Sequence, residues 1–324
     1  MPHAMTHAIE VEGLTRSFAS AAAKGAASIR ALDGLSFTVE AGEVFGVLGH
    51  NGAGKTTLVR VINGILTPTS GSAHVLGLDA ATQGSEVRRQ TGVLTETPSL
   101  YERLTARDNL KLFAALYEVP NPEQRVAEML SLFNLTDRAN DRAGGFSKGM
   151  KQRLALARAL VHDPQILFLD EPTAALDPEA ARTVTTLIET LSRESGRTVF
   201  LATHNLDEAQ RLCTRVAILS HGKLLALGTT AELGRQLWSA LWLDFDLRAA
   251  LSEAEILHIK QTAGVNSLQT GNTTLAVQVA DEARIPAVIA AVAASGAQVM
   301  RVNPRQHSLE DIYFELQRRA GESS

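Results

Sequence analysis

Nine consecutive residues, Gly49-His50-Asn51-Gly52-Ala53-Gly54-Lys55-Thr56-Thr57, carry the densest potential chemistry in the chain. Glycine permits backbone conformations that turn successive N–H groups inward, so such a loop can cradle an anion. A helix beginning at Lys55 would add the positive end of its dipole. The stretch fits G-x-x-x-x-G-K-[ST], and it follows an apolar run, Val44 to Leu48, that reads as a buried strand. Strand, glycine loop and helix are the context this pattern requires. It predicts a nucleotide triphosphate site, with Lys55 reaching the β- and γ-phosphates and the Thr56 hydroxyl placed for Mg2+.

Three other stretches offer acids and bases that such a site would use. "QILFLDEP" (165–172) reads as a buried strand ending in Asp170 and Glu171. Asp170 is placed to hold Mg2+, and Glu171, one residue on, could polarise an attacking water. "TGVLTETPSLYERLT" (91–105) sets Glu96 just past a short apolar run; on its own it reads as a solvated loop acid. "GGFSKGMKQRLALARAL" (144–160) opens a basic, alanine-rich helix with Ser147 and Gly149. A serine there is an ordinary N-cap, and it is also a second anion-binding helix start. One fold of this kind holds one triphosphate, so two such starts in one chain suggest that each grips the nucleotide of another subunit.

These residues need strands and helices in alternation to bring them to one edge. "AIEVEGLTRSF" (8–18) reads as an edge strand, and "FASAAAKGAASIRAL" (18–32) as a flexible loop insertion. Residues 106–162 are mostly helical by pattern, with stops at "VPNPE" and "RAGGFS"; "TVFLATHNLDEAQRL" (198–212) gives a strand and a helix. Such alternation predicts a mainly parallel, doubly wound α/β sheet with antiparallel edge strands. The composition changes near Leu233, and the tail reads β-α-β-β-α-β and a last helix, a ferredoxin-like plan. The expected division is 1–232, with a helical subdomain at about 97–162, and 233–324.

Composition narrows the class. The 324 residues are 45% hydrophobic and 20% charged, ordinary for a globular protein. A net charge of −4 provides no bulk basic field for nucleic acid, so no nucleic-acid partner is expected. The one cysteine, Cys213, precludes an intrachain disulfide and suits a reducing cytoplasm; it reads as a small core residue. The N-terminus does not read as a signal peptide, and no apolar run reaches the about 20 residues of a membrane helix. Any membrane span would have to come from another chain.

The order of "GHNGAGKTT", "FSKGMKQR", "ILFLDEPTAALDP" and "ATHNLDEA" resembles the ATP-binding subunit of an ABC transporter over residues 8–232. The resemblance implies an ATP hydrolase using ATP and Mg2+, a homodimer in the ATP-bound state, and a separately encoded integral membrane permease. It implies a place on the inner face of the cell membrane. Residue by residue, it implies that Phe18 stacks on adenine and that Gly49 to Thr57 form the phosphate loop. Ser147, Lys148, Gly149 and Met150 stand at the signature that contacts the partner's ATP, with Lys148 a departure from the commoner L-S-G-G-Q. Asp177 resembles the residue linking the two sites across the dimer, and His204 the switch histidine at the γ-phosphate. His50 stands where proline is usual. Glu96 falls at the place of a glutamine that touches Mg2+ and the attacking water, which makes it a candidate Mg2+ ligand. "SLEDIYFEL" (308–316) is similar to the C-terminal motif of ABC-2-type exporter ATPases, although core packing of the last helix explains it equally well. Two alternatives stay open: a soluble ABC ATPase acting on ribosomes or nucleic acid, and an importer ATPase.

Overall fold

The structure, a computed structural model, describes residues 7–19, 28–238, 241–305 and 307–322. The centre of the expected loop insertion, 20–27, lies outside the described residues. Residues 230–315 form a compact unit of their own, and the remaining described residues form another.

The larger unit begins with β1 (His7–Phe18), β2 (Ile29–Glu40), β3 (Val44–Leu48) and α1 (Lys55–Ile62). There follow β4 (Ser70–Val75), β5 (Leu78–Asp79), α2 (Gly84–Gln90) and β6 (Thr91–Leu94). Three helices come next, α3 (Ala106–Leu116), α4 (Pro122–Leu132) and α5 (Lys148–Leu160). The chain then returns through β7 (Ile166–Asp170), α6 (Pro178–Ser195), β8 (Thr198–Thr203), α7 (Leu206–Leu212), β9 (Arg215–Ser220) and β10 (Lys223–Gly228).

A six-stranded sheet runs β10-β9-β3-β8-β7-β6, parallel except for β9 with β10. Its central strands are buried on both faces, which is why β7 reads as an unbroken apolar run. Successive side chains point to opposite faces. Ile166 and Phe168 therefore join a core with the four-stranded sheet β2-β1-β4-β5, while Leu167 and Leu169 join the core under α3, α4 and α5. Phe37, Phe45, Phe200 and Phe168 form a continuous ring stack in the first of these cores, with centroids 5.2–5.8 Å apart along the chain of contacts.

The edge reading of β1 is corrected by this topology: β1 pairs with β2 on one side and β4 on the other. The alternation of Ile9 and Val11 with Glu10 and Glu12 reports one solvated face of the sheet, not a missing neighbour. Ile29 to Leu32, expected in the loop, belong to β2.

The smaller unit contains α8 (Thr230–Leu237), β11 (Leu241–Leu247), α9 (Glu253–Lys260), β12 (Val265–Thr270), β13 (Thr274–Val279), α10 (Ile285–Ala294) and β14 (Val299–Pro304), and α11 (Leu309–Glu322) begins in it. Its sheet order is β12-β13-β11-β14 with every pair antiparallel. Leu243, Phe245 and Leu247 of β11 point into the core with Ile259, Val288 and Val292 of α9 and α10.

Candidate functional site

Because β3, β8, β7 and β6 are parallel neighbours, their carboxyl ends share one edge, where α/β sheets hold ligands. The loop 49–54 leaves β3, Asp170 ends β7, His204 follows β8 and Glu96 follows β6. These segments enclose a cavity of about 300 Å3, lined by Asn51, Gly52, Gly54, Lys55, Thr56 and Thr57 on one side. Glu96, Asp170, Glu171 and His204 line the other, with Ala31 at the margin.

Gly54 has φ +110°, and a Cβ there would meet the Ala31 carbonyl oxygen at 2.5 Å; both facts demand glycine immediately before α1. The buried Lys55 Nζ donates to the Gly49 carbonyl at 2.7 Å and lies 3.4 Å from Glu171 Oε1. Thr56 Oγ1 donates to Asp170 Oδ2 at 2.8 Å. Asp170 Oδ1 is buried without a hydrogen-bond partner. Burial pushes the Asp170 carboxyl up from its ordinary range; the Thr56 hydrogen bond and Lys55 oppose the shift, and Glu171 and the nearby Glu96 add to it. An orphaned carboxylate oxygen beside a hydroxyl and a second carboxylate is an oxygen-only donor set, which fits a hard divalent cation such as Mg2+.

Glu171 adopts φ +52°, a left-handed conformation costing roughly 1–2 kcal/mol in a non-glycine residue. The turn is held by Glu171 N donating to the Ala202 carbonyl at 2.8 Å. It swings the carboxylate into the cavity, where Oε1 accepts from His204 Nδ1 at 2.8 Å. An ionised carboxylate only accepts, so with Glu171 ionised the contact places a hydrogen on His204 Nδ1 and leaves Nε2 to meet another partner. The set can bind a triphosphate, place a cation and present a base to water.

Ser147, Gly149, Met150 and Asp177 lie elsewhere, lining a separate cavity of about 380 Å3 with Asn134 and Arg153. Ser147 is the N-cap of α5, accepting from Met150 N at 3.2 Å; Asp177 caps α6, accepting from Ala180 N at 2.8 Å. Lys148, in the first turn of α5, is exposed and is not among the residues lining that cavity. Phe18 ends β1 with the Arg16 guanidinium 4.8 Å above its ring, and it does not line the phosphate cavity. His50 packs its ring 5.0 Å from that of His221, and a Cβ at Gly49 would meet the Ala53 Cβ and the Leu219 carbonyl oxygen at 2.7 Å. Cys213 packs its sulfur toward Gly46, and burial pushes its thiol well up, as a core residue's should be.

Four contributors escaped the sequence reading. Gln152 of α5 donates from its buried amide to the Pro172 carbonyl at 2.6 Å, just past Glu171. Arg158 of α5 donates to the carbonyls of Ser99 and Pro98 at 2.7 and 2.9 Å. Thr203 and Glu208 stand behind Glu171. Gln152, Arg158 and Thr203 each meet a partner from a distant segment, and Glu208 reaches Glu171 only through Thr203, so no local spacing marks them.

The profile of the ABC transporter family matches residues 32–174. The daunorubicin/doxorubicin resistance ATP-binding protein DrrA of Streptomyces peucetius is 34% identical over 314 residues, 96% of this chain and 92% of that protein. The methionine import ATP-binding protein MetN 1 of Listeria monocytogenes is 41% identical over 212 residues, 64% of this chain and 63% of that protein. Among solved structures, a dimer of the ATP-binding cassette MJ0796 in a post-hydrolysis state bound to ADP and Pi superposes with a TM-score of 0.62 and 26% identity, covering 68% of this chain and 98% of that one.

Proposed function

Because the chain belongs to the ATP-binding proteins of ABC transporters and is an ATP hydrolase of that family, we propose that it powers export through a separate membrane permease, acting as a homodimer that closes around two ATP. The observation that carries this reading is the separation of the two anion-binding halves. The phosphate loop with Asp170, Glu171 and His204 lines one cavity, and Ser147, Gly149 and Asp177 line another. A second copy is what can bring one half against the other, and MJ0796 was captured as a dimer in its post-hydrolysis state.

In this account Lys55 neutralises phosphate charge and the amides of 49–56 orient the triphosphate. Thr56, Asp170 and Glu96 hold Mg2+, which supplies charge neutralisation at the phosphates when bound. Glu171 takes a proton from the attacking water, and His204 positions Glu171 through Nδ1 while Nε2 meets the γ-phosphate. Phe18 is the adenine platform, and Ser147 to Met150 grip the partner's nucleotide. No helix of the described residues is long and apolar enough to cross a membrane. In this reading the permease supplies the translocation path and holds the chain at the inner face of the membrane.

Similarity to the drug-resistance protein runs over nearly the whole chain, tail included, whereas similarity to the methionine importer stops at about two thirds. Inside-out vesicles containing this chain with its permease should take up daunorubicin or a comparable drug when ATP is added outside. Uptake only into right-side-out vesicles would assign an importer, and uptake independent of this chain would remove the transport reading.

A further inference from the structure

Behind Glu171 lies a buried polar chain that the hydrolytic account does not use. Thr203 is fully buried, and Glu208, on the first turns of α7, is 6% exposed. Thr203 Oγ1 lies 3.2 Å from Glu171 Oε2 and 3.1 Å from Glu208 Oε2. It also accepts from Asn205 N at 3.0 Å. A threonine hydroxyl has one hydrogen and two lone pairs. The Asn205 N–H takes one lone pair. The hydrogen can go to only one carboxylate, so the second lone pair faces an oxygen of the other. Two ionised carboxylates cannot both receive that hydrogen in full, and a proton on one of them would satisfy both contacts.

The surroundings decide which. Glu171 Oε1 lies 3.4 Å from the Lys55 ammonium and 2.8 Å from His204 Nδ1, so a positive charge already stands beside it. Among the described residues Glu208 forms no ion pair and its Oε1 is buried without a hydrogen-bond partner, with the Thr173 hydroxyl the other group acting on the carboxyl. The charged or titratable groups acting on it are Glu171 and His204, and it in turn acts on the buried Cys213.

We propose that Glu208 is a protonated positioning residue: its carboxyl donates to Thr203 Oγ1, which turns the threonine hydrogen toward Glu171 Oε2 and fixes the ionised Glu171 carboxylate for the attacking water. Burial, the largest influence on this carboxyl, pushes it up from the ordinary range and the Glu171 charge adds to the shift, while the Thr173 and Thr203 hydroxyls and His204 oppose it. The arrangement has a clear use. An ionised Glu208 would add a third buried negative charge behind Glu171 and Asp170 at a site that must accept a polyanion. A neutral one spares that charge and still supplies a donor. The proposal rests on Glu171 being the base, so its test must separate the two ideas.

Glu208→Gln and Glu208→Ala are the informative pair. The glutamine amide keeps the shape and the donor toward Thr203 and cannot ionise. We expect Glu208→Gln to retain turnover to within about two-fold. Glu208→Ala should lose on the order of 10- to 100-fold in kcat through a misplaced base, with ATP affinity unchanged. Thr203→Val should lose a comparable amount, and Glu208→Ala on that background should add little, because the two act as one unit. Infrared spectroscopy gives a readout independent of turnover: a protonated-carboxyl C=O band present in the wild type and in Glu171→Gln and absent in Glu208→Gln. Equal impairment of Gln and Ala variants would overturn the proposal, as would wild-type turnover in Glu208→Ala, or an infrared band indifferent to Glu208→Gln. Full turnover in Glu171→Gln would instead sink the base assignment, while the infrared band would still report the proton on Glu208.

Discussion

Gly149 and Ala180 hold the first turns of α5 and α6 against each other: a Cβ added to Gly149 would come within 2.9 Å of the Ala180 Cβ. The two helix starts are therefore locked together, and with them their caps, Ser147 and Asp177. The glycine at the third place after Phe146 has a packing reason that is separate from any contact of its amide with phosphate. Gly149→Ala keeps the amide and adds only the methyl group. We expect it to destabilise the protein by about 1–3 kcal/mol through overpacking. Ala180→Gly in the same chain should recover the overpacking term, less about 1 kcal/mol for glycine in a helix. Urea unfolding of the single and double variants measures both. A Gly149→Ala variant as stable as the wild type would show that the helices can part without cost.

Arg158 makes a second mechanical link, from the middle of α5 to the Pro98 and Ser99 carbonyls just past Glu96. Its guanidinium also lies 4.9 Å from the Phe113 ring centroid on α3. Removing it leaves two carbonyls without their donor. Arg158→Met should cost about 1.5–3 kcal/mol, the range for hydrogen bonds to a charged group. Arg158→Lys should recover only part of that, because an ammonium lacks the planar fork that reaches both oxygens. Denaturant midpoints give the energies. Faster proteolysis within 95–101 would show that the loop has come loose, and an unaltered cleavage rate would mean that Arg158 does not hold it.

Glu96 offers a test of cation placement. It is exposed, lines the phosphate cavity and acts on Asp170 through charge. A carboxylate beside the γ-phosphate should be unfavourable until Mg2+ is bound. Glu96→Gln should shift the half-maximal Mg2+ concentration for ATP hydrolysis while activity at saturating Mg2+ survives. An unchanged titration would leave Glu96 as a solvated loop acid.

That the phosphate loop, Asp170 and Glu171 meet at one cavity was legible because each is local, a motif with its strand and helix or the end of an apolar run, whereas His204 was placed there by family resemblance alone. The doubly wound sheet was legible for the same reason, since β7 and β8 are apolar on both faces. What stayed hidden is what distant segments do to one another. Nothing in the spacing of Thr203 and Glu208 says that Glu171 comes to rest beside them. Nothing around Arg158 says that its guanidinium reaches back 59 residues to Ser99. The central position of β1 was hidden because a wet face and a free edge leave the same alternating pattern. Ser147 and Asp177 show the opposite limit. Their capping roles are local and visible in the structure, whereas a role toward a partner's nucleotide needs the second copy.

If ATP joins two copies through the separated halves of the site, a variant that binds ATP without hydrolysing it should hold the dimer together. Glu171→Gln should bind ATP yet lose turnover by about 10²–10⁴-fold, since that is what general-base catalysis contributes. Light scattering after gel filtration should then find this variant near 34.7 kDa without nucleotide and near twice that mass with Mg-ATP. Adding Ser147→Arg to the same chain should leave ATP binding intact and hold the mass at the monomer value. A Glu171→Gln protein that stays monomeric while saturated with ATP, or a Ser147→Arg double variant that dimerises as readily as its parent, would contradict the composite site.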